Sequence, residues 1–318
     1  MTTPEDLERA ILGAVPGLTG EEISARAGLT REQSQRLWRA LGFPEAGGSA
    51  AFGAADEEAL HRVASILGEG SIDFETVLRM TRALGQTMDR LAEWEVATMA
   101  TALERHEGEE PRTEEALRLI RDIGPDFEAL LAYVWRRHLV AAVARVESVE
   151  AADEQVAEAT VGFADLVSFS ALTNRLRDDE IGDLVEVFEG RSHDVVSRWR
   201  GRVVKTLGDS VLFIAPTPSD AVEIAWDIVK VIGGDKRLPD VRVGLVTGSV
   251  VMRMGDVYGP AVNLAARLTG VARRNRVITD VHTASVLPTD RFEMRTLPAR
   301  PVRGFGDLQP VAVRRSPA

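Results

Sequence analysis

Two aspartates, each beside an apolar strand-like run, are the residues of this 318-residue chain best placed to do chemistry. Asp165 lies in Phe163-Ala164-Asp165-Leu166-Val167-Ser168-Phe169-Ser170, after the run Ala159–Phe163. Asp209 lies in Lys205-Thr206-Leu207-Gly208-Asp209-Ser210, between Val203–Leu207 and Val211–Ala215. Two acids at strand ends can share divalent cations, and two cations on oxygen ligands suit a triphosphate. Taken singly, either acid is better read as the cap of a turn or helix. The pair, with the segment downstream, favours the metal reading.

The elements that must position them follow from local pattern. Gly208-Asp209 between two apolar runs reads as a tight hairpin turn, which projects its acid clear of the sheet. Asp165 closes the strand Thr160–Phe163, ahead of a helix beginning near Ser168–Ser170. If that strand lies beside the hairpin, the carboxylates converge at one sheet edge. The helix start then offers unpaired N–H groups to phosphate oxygens. Further on, Gly259-Pro260 suits a first helical turn, and Asn263 and Arg267, four apart, share one helix face. An amide and a guanidinium there can hold a ribose oxygen and a phosphate. For that pair alone, a solvated polar face is the plainer reading.

In these motifs, the segment from Ala159 to the end resembles the catalytic domain of class III nucleotide cyclases. The resemblance implies that Asp165 and Asp209 bind two Mg²⁺ or Mn²⁺ ions, helped by the backbone carbonyl of Leu166. It implies that Lys205 and Asp256 read the adenine edge, that Asn263 orients the ribose, and that Arg267 stabilises charge on the phosphates. The implied reaction is ATP to cyclic AMP plus pyrophosphate. In the family each site forms between two catalytic domains, so a chain carrying both residue sets should form a head-to-tail homodimer. Guanylate-making relatives typically carry Glu and Cys where this chain has Lys205 and Asp256. The chain departs from the family at two places. Arg303, in Val302-Arg303-Gly304-Phe305-Gly306, stands where a phosphate-binding lysine is common, and would act as a fork. Ser168 stands where many relatives have Gly; with Phe169 and Ser170 it would form the phosphate loop.

Composition narrows the alternatives. Net charge is −11, which argues against a broad nucleic-acid footprint. Cysteine is absent, which removes disulfides and thiol chemistry. Met1–Asp6 lacks a signal-like apolar segment, and the longest apolar stretch, 130–146, is interrupted by Arg136, Arg137 and Arg145, so a cytoplasmic protein without a membrane span is expected. None of His61, His106, His138, His193 and His282 has metal-ligand spacing with another.

Residues 1–146 read as helical throughout, with helices expected at 5–15, 20–27, 31–41, 57–67, 74–105, 114–123 and 126–146. Gly47–Ala50 and Gly108–Pro111 signal loops. In the long helix, Val77, Met80, Leu84, Met88 and Leu91 form a stripe expected to be core, or else a seat for a partner helix or a small apolar ligand. Gly20–Leu41 resembles a helix-turn-helix, yet it carries few basic residues, so a structural or dimerising helical hairpin is favoured over DNA binding. A helical half ahead of such a domain resembles the autoinhibited, pH-responsive cyclases of mycobacterial type. The expected organisation is a helical regulatory domain at 1–146, a coupling linker or helix at 147–158, and a catalytic domain at 159–318. Its coupling element, Ala141–Glu158, has no Pro or Gly and can form a helix.

The second half reads as strands at 159–163, 202–207, 211–215, 241–246, 249–254 and 276–279. Helices are expected at 172–199, broken near 176–179, then at 219–232 and 259–272. This gives an α+β fold: an all-helical first domain followed by a cyclase domain with a ferredoxin-like βαββαβ core. Alternatives to an adenylate cyclase are a guanylate cyclase or a catalytically silent nucleotide-binding homologue acting as sensor or scaffold.

Overall fold

The computed structural model describes residues 4–44, 49–104, 112–150, 157–253 and 255–317. It divides into two units, Met1–Ala142 and Val143–Ala318.

The first unit is helical: α1 (Pro4–Leu12), α2 (Gly20–Arg26), α3 (Arg31–Leu41), α4 (Ala54–Gly68), α5 (Phe74–Glu104) and most of α6 (Arg112–Glu150). Thr19 and Thr30 start α2 and α3 with reciprocal hydrogen bonds to Glu22 and Gln33, which satisfy orphan N–H groups at each start. Ile23, Leu37, Trp38, Leu60, Val77 and Leu78 form the core. Arg26 and Arg36 of the helix-turn-helix-like segment pair with Glu57 and Glu75 at 3.1 and 2.6 Å.

Three expectations change here. The α5 stripe is not core: Val77 is buried, but Met80 and Leu84 are 61% and 53% exposed. The buried face runs through Val77, Leu78, Thr81 and Gly85, and a Cβ at Gly85 would meet Leu41 backbone at 2.5 Å. Among the described residues an apolar cavity is lined instead by Leu12, Trp38, Phe43 and Phe52, away from that stripe. Gly124-Pro125 does not divide two helices, since α6 runs through Pro125. One proline removes one hydrogen bond, whereas two new helix ends would expose several backbone groups. The linker or helix expected over 147–158 gives way to strand two residues early, since β1 begins at Ala157; residues 151–156 lie outside the described residues. The loop signal at 108–111 and half of that at 47–50 also fall outside them.

The second unit runs β1 (Ala157–Leu166), α7 (Phe169–Thr173), α8 (Asp178–Arg198), β2 (Arg202–Leu207), β3 (Ser210–Ala215), α9 (Pro218–Gly233), β4 (Val241–Arg253), β5 (Asp256–Tyr258), α10 (Pro260–Val271), β6 (Val277–Thr279), α11 (Val281–Ser285), β7 (Phe292–Thr296), β8 (Arg300–Val302), β9 (Gly306–Leu308) and β10 (Val311–Arg315). The main sheet has the order β2-β3-β1-β4-β6-β10-β7, with β5 added to β4. Its first four strands, joined by α8 and α9, form the βαββαβ core of an α+β fold. Strand alternation makes two cores: Val211 and Phe213 face α8 and α9, while Leu212 and Ile214 face α10. The strands expected at 241–246 and 249–254 are one strand, β4, because Ala157–Leu166 pairs along Val241–Val250 without interruption.

Gly244 sets how closely α10 lies on β4. A Cβ there would stand 2.5 Å from Thr269 Oγ1 and 2.6 Å from Thr269 N. The absent side chain therefore seats the helix that carries Asn263 and Arg267.

Candidate active site

Asp165 and Asp209 do converge, though not at an edge strand. β1 lies between β3 and β4, and the acids meet at its C-terminal end, beside the β2–β3 hairpin. Asp165 stands in register with Ser210 on one side and Arg242 on the other. Ser210 Oγ donates to Asp165 Oδ1 at 2.5 Å, and Arg242 Nε donates to Asp165 Oδ2 at 2.7 Å. The hairpin turns through Gly208 at φ +63°, a conformation glycine adopts without steric cost. Leu166 N–H donates to the Asp209 carbonyl at 3.0 Å and ties the hairpin tip to the strand end. Burial raises the Asp209 carboxyl above its ordinary value, and the neighbouring charge of Asp165 raises it further; Arg242 offsets this only in part.

Lys205 and Asp256 form a second group. Lys205 Nζ donates to Asp256 Oδ2 at 2.6 Å, and Val257 N–H donates to Asp256 Oδ1 at 2.8 Å. Burial works against the Asp256 charge, but the Lys205 and Val257 hydrogen bonds outweigh it and hold the carboxyl below its ordinary value. Arg202 Nη1 donates to the Gly255 carbonyl at 2.9 Å and braces the turn that carries Asp256. Lys205 is in register with Leu212, so it lies on the same sheet face as α10.

On α10 the buried side is Ala261, Ala265, Leu268 and Thr269, which leaves Asn263 and Arg267 exposed. Arg303 is exposed in the turn of the separate β8–β9 hairpin, next to Gly304 at φ +85°. Ser168 has φ +59° and precedes α7; it and Ser170 are exposed. Phe169 is 9% exposed and packs in the α8–α9 core, so only its main chain is available to a ligand.

Sequence pattern did not single out Ser210 or Arg242. Arg242 was visible as a lone charge in the apolar run Val241–Val246, but its place opposite Asp165 depends on strand register.

Residues 151–313 match the family model of the adenylate and guanylate cyclase catalytic domain. This chain belongs to the class III cyclase family. The cyclase match extends beyond that domain. An adenylate cyclase of Streptomyces coelicolor is 37% identical over 341 residues, covering 97% of this chain and 89% of the relative. One from Glutamicibacter nicotianae is 36% identical, covering 97% of this chain and 81% of the relative. A Mycobacterium tuberculosis protein named pH-sensitive adenylate cyclase is 29% identical, covering 94% of this chain and 78% of that one. Class III cyclases generally work with divalent metal ions, and the oxygen groups that the sequence motifs nominate are of a type that suits them. The acids and the Leu166 carbonyl are hard oxygens. Among the described residues no three His, Cys, Asp or Glu side chains gather as a metal site. In this cyclase no described helix is long and apolar enough to cross a membrane.

Proposed function

We propose that this chain is an adenylate cyclase that converts ATP to 3′,5′-cyclic AMP and pyrophosphate at sites shared between two copies of itself. The observation that carries this reading is that strand register puts Asp165 and Lys205 on the sheet face that packs against α10, with Asp209 at the hairpin tip beside Asp165. An acidic group, Asp165 and Asp209, lies at the β1 end, and a separate donor–acceptor pair, Lys205 and Asp256, lies on β2 and β5. One chain carries both halves, which supports a head-to-tail homodimer with two equivalent sites.

Asp165, Asp209 and the Leu166 carbonyl would hold two Mg²⁺ or Mn²⁺ ions, which supply charge neutralisation at the phosphates and lower the pKa of the ribose 3′-hydroxyl. The remaining work is positioning and electrostatics. Adenine presents an amino donor and a ring-nitrogen acceptor along one edge. Asp256 accepts from the first and Lys205 donates to the second, so their mutual hydrogen bond is exchanged for two to the base. Asn263 orients the ribose so that O3′ lines up with the α-phosphorus. Arg267 meets the charge that grows as the O3′–P bond forms and the bond to pyrophosphate breaks. Arg303 and the main chain of Ser168–Ser170 hold the outer phosphates.

The helical unit regulates this pair of sites in an autoinhibitory, pH-responsive manner. The match across nearly the whole chain to a relative named pH-sensitive supports that reading.

The test is product formation by the full chain with Mn²⁺, from ATP and from GTP, followed by chromatography. Cyclic AMP from ATP well in excess of cyclic GMP from GTP is expected. Nucleotide binding without product from either would overturn the reading.

A further inference from the structure

The peptide between Leu166 and Val167 is held from the β4 side, where the β1–β4 register continues past Leu166 and Val241. Val167 N–H donates to the Asp240 carbonyl at 2.7 Å, on the β4 side of the strand end. A trans peptide is planar, with its N–H and C=O pointing opposite ways. That hydrogen bond therefore turns the Leu166 carbonyl away from β4 and towards the hairpin that carries Asp209.

Asp240 is itself held by Asn275, in the connection between α10 and β6. Asn275 Nδ2 donates to Asp240 Oδ1 at 2.6 Å, and Asn275 N–H donates to the Val241 carbonyl at 2.7 Å. Val241 N–H donates back to Asn275 Oδ1 at 3.3 Å. Three hydrogen bonds from one residue thus fix Asp240-Val241, whose carbonyl then fixes the Leu166–Val167 peptide. Asn275 has φ +53°, a conformation that Asn tolerates better than most residues. The bracket needs that backbone turn, since it brings the main-chain N–H and the side-chain amide onto the same two residues.

We propose that Asn275 is a positioning residue for the metal half-site, acting through Asp240 to aim the main-chain carbonyl of Leu166. This rests on the reading of Asp165, Asp209 and Leu166 as the metal donors. Removing groups that orient the ligands of a metal site typically costs about 10–100-fold in metal affinity or activity.

The experiment is Mn²⁺ binding by the full-length, nucleotide-free protein, measured from the electron paramagnetic resonance signal of the free ion and paired with a melting curve. N275G keeps the left-handed backbone accessible and removes the amide. It should weaken Mn²⁺ binding by about tenfold and raise the Mn²⁺ concentration needed for half-maximal turnover, with the rate at saturating Mn²⁺ largely kept. N275D sets two carboxylates against each other and should bind as weakly. N275D/D240N restores a donor and an acceptor in exchanged places and should recover most of the affinity. Wild-type Mn²⁺ binding in N275G, with only a lower melting temperature, would make the bracket merely structural and overturn the proposal. So would N275D and N275D/D240N binding equally weakly. D209N is the control for the underlying reading. If it binds Mn²⁺ like wild type, the ions sit elsewhere, and the metal half-site falls together with this inference.

Discussion

Lys205 on β2 and Asp256 on β5 hold each other at 2.6 Å across 51 residues of sequence, on the sheet face that carries α10. A half-buried donor beside an acceptor is a recognition element with a definite polarity. Reversing it should reverse the preference for the base. K205E/D256C should lower kcat/KM for ATP by about 100-fold, because a site built for specific hydrogen bonds rejects a partner that leaves them unmade. Turnover of GTP, measured in parallel, should rise. An unchanged ATP-to-GTP ratio would remove this pair from base recognition.

Asp165 and Asn263 belong, in the proposed reading, to different halves of each shared site. D165A and N263A should each reduce cyclic AMP formation by at least about 100-fold. Mixed in equal amounts and allowed to exchange subunits, they should regain about a quarter of wild-type activity, since half the dimers then carry one intact site of two. No recovery, with heterodimers demonstrated by mass spectrometry, would exclude sites shared between chains.

Gly244 predicts a packing effect with a catalytic consequence. A methyl group there meets Thr269 on α10 well inside contact distance. G244A should destabilise the second unit by about 1–3 kcal/mol. It should also lower kcat, because α10 must move and takes Asn263 and Arg267 with it. The melting temperature and kcat, measured on the same preparation, check both effects.

The C-terminal strand is anchored by charge. Arg315 donates to Glu223 at 2.6 Å and to Asp227 at 2.7 Å, and Trp199 Nε1 donates to Asp227 at 2.9 Å. Burial opposes the Asp227 charge, but the Trp199 and Arg315 hydrogen bonds prevail and lower its pKa. A carboxyl depressed in the folded state contributes stability above its unfolded pKa of about 4 and loses it as pH falls through the folded value. R315A should therefore cost about 2 kcal/mol at pH 7, since Asp227 loses its guanidinium partner and Glu223 keeps only Arg291. The gap between variant and wild type should narrow below pH 4. Melting curves from pH 3 to 7 would show it, and a gap independent of pH would count against the ionic account.

Regulation by the helical unit predicts that a chain shortened to residues 147–318 has a different pH–activity profile from the full chain between pH 5.5 and 8. Superimposable profiles and equal specific activities would mean that residues 1–146 do not gate the catalytic pair.

Much of this was decided by local sequence. Apolar alternation at Val211–Ala215 and the Gly208-Asp209 turn set the hairpin, because strand period and turn chemistry are short-range properties. The ends of α2, α3 and α10 follow from Thr19, Thr30 and Gly259-Pro260 for the same reason. The chemically significant residue types at Asp165, Asp209, Lys205, Asp256, Asn263 and Arg267 were likewise visible in order and spacing. Other features needed the fold. Whether β4 breaks at Thr247-Gly248 depends on its pairing with β1, and whether α6 breaks at Pro125 depends on what a helix end would expose. The α5 stripe reads as core by period alone, yet burial follows the partners α5 meets, and they cover the face through Leu78 and Gly85 instead. Arg242 and Ser210 join Asp165 only through strand register, which no local pattern specifies. Asn275 is more than a hundred residues from Leu166 in sequence, and only the antiparallel pairing of β1 with β4 and the turn before β6 connect it to that carbonyl.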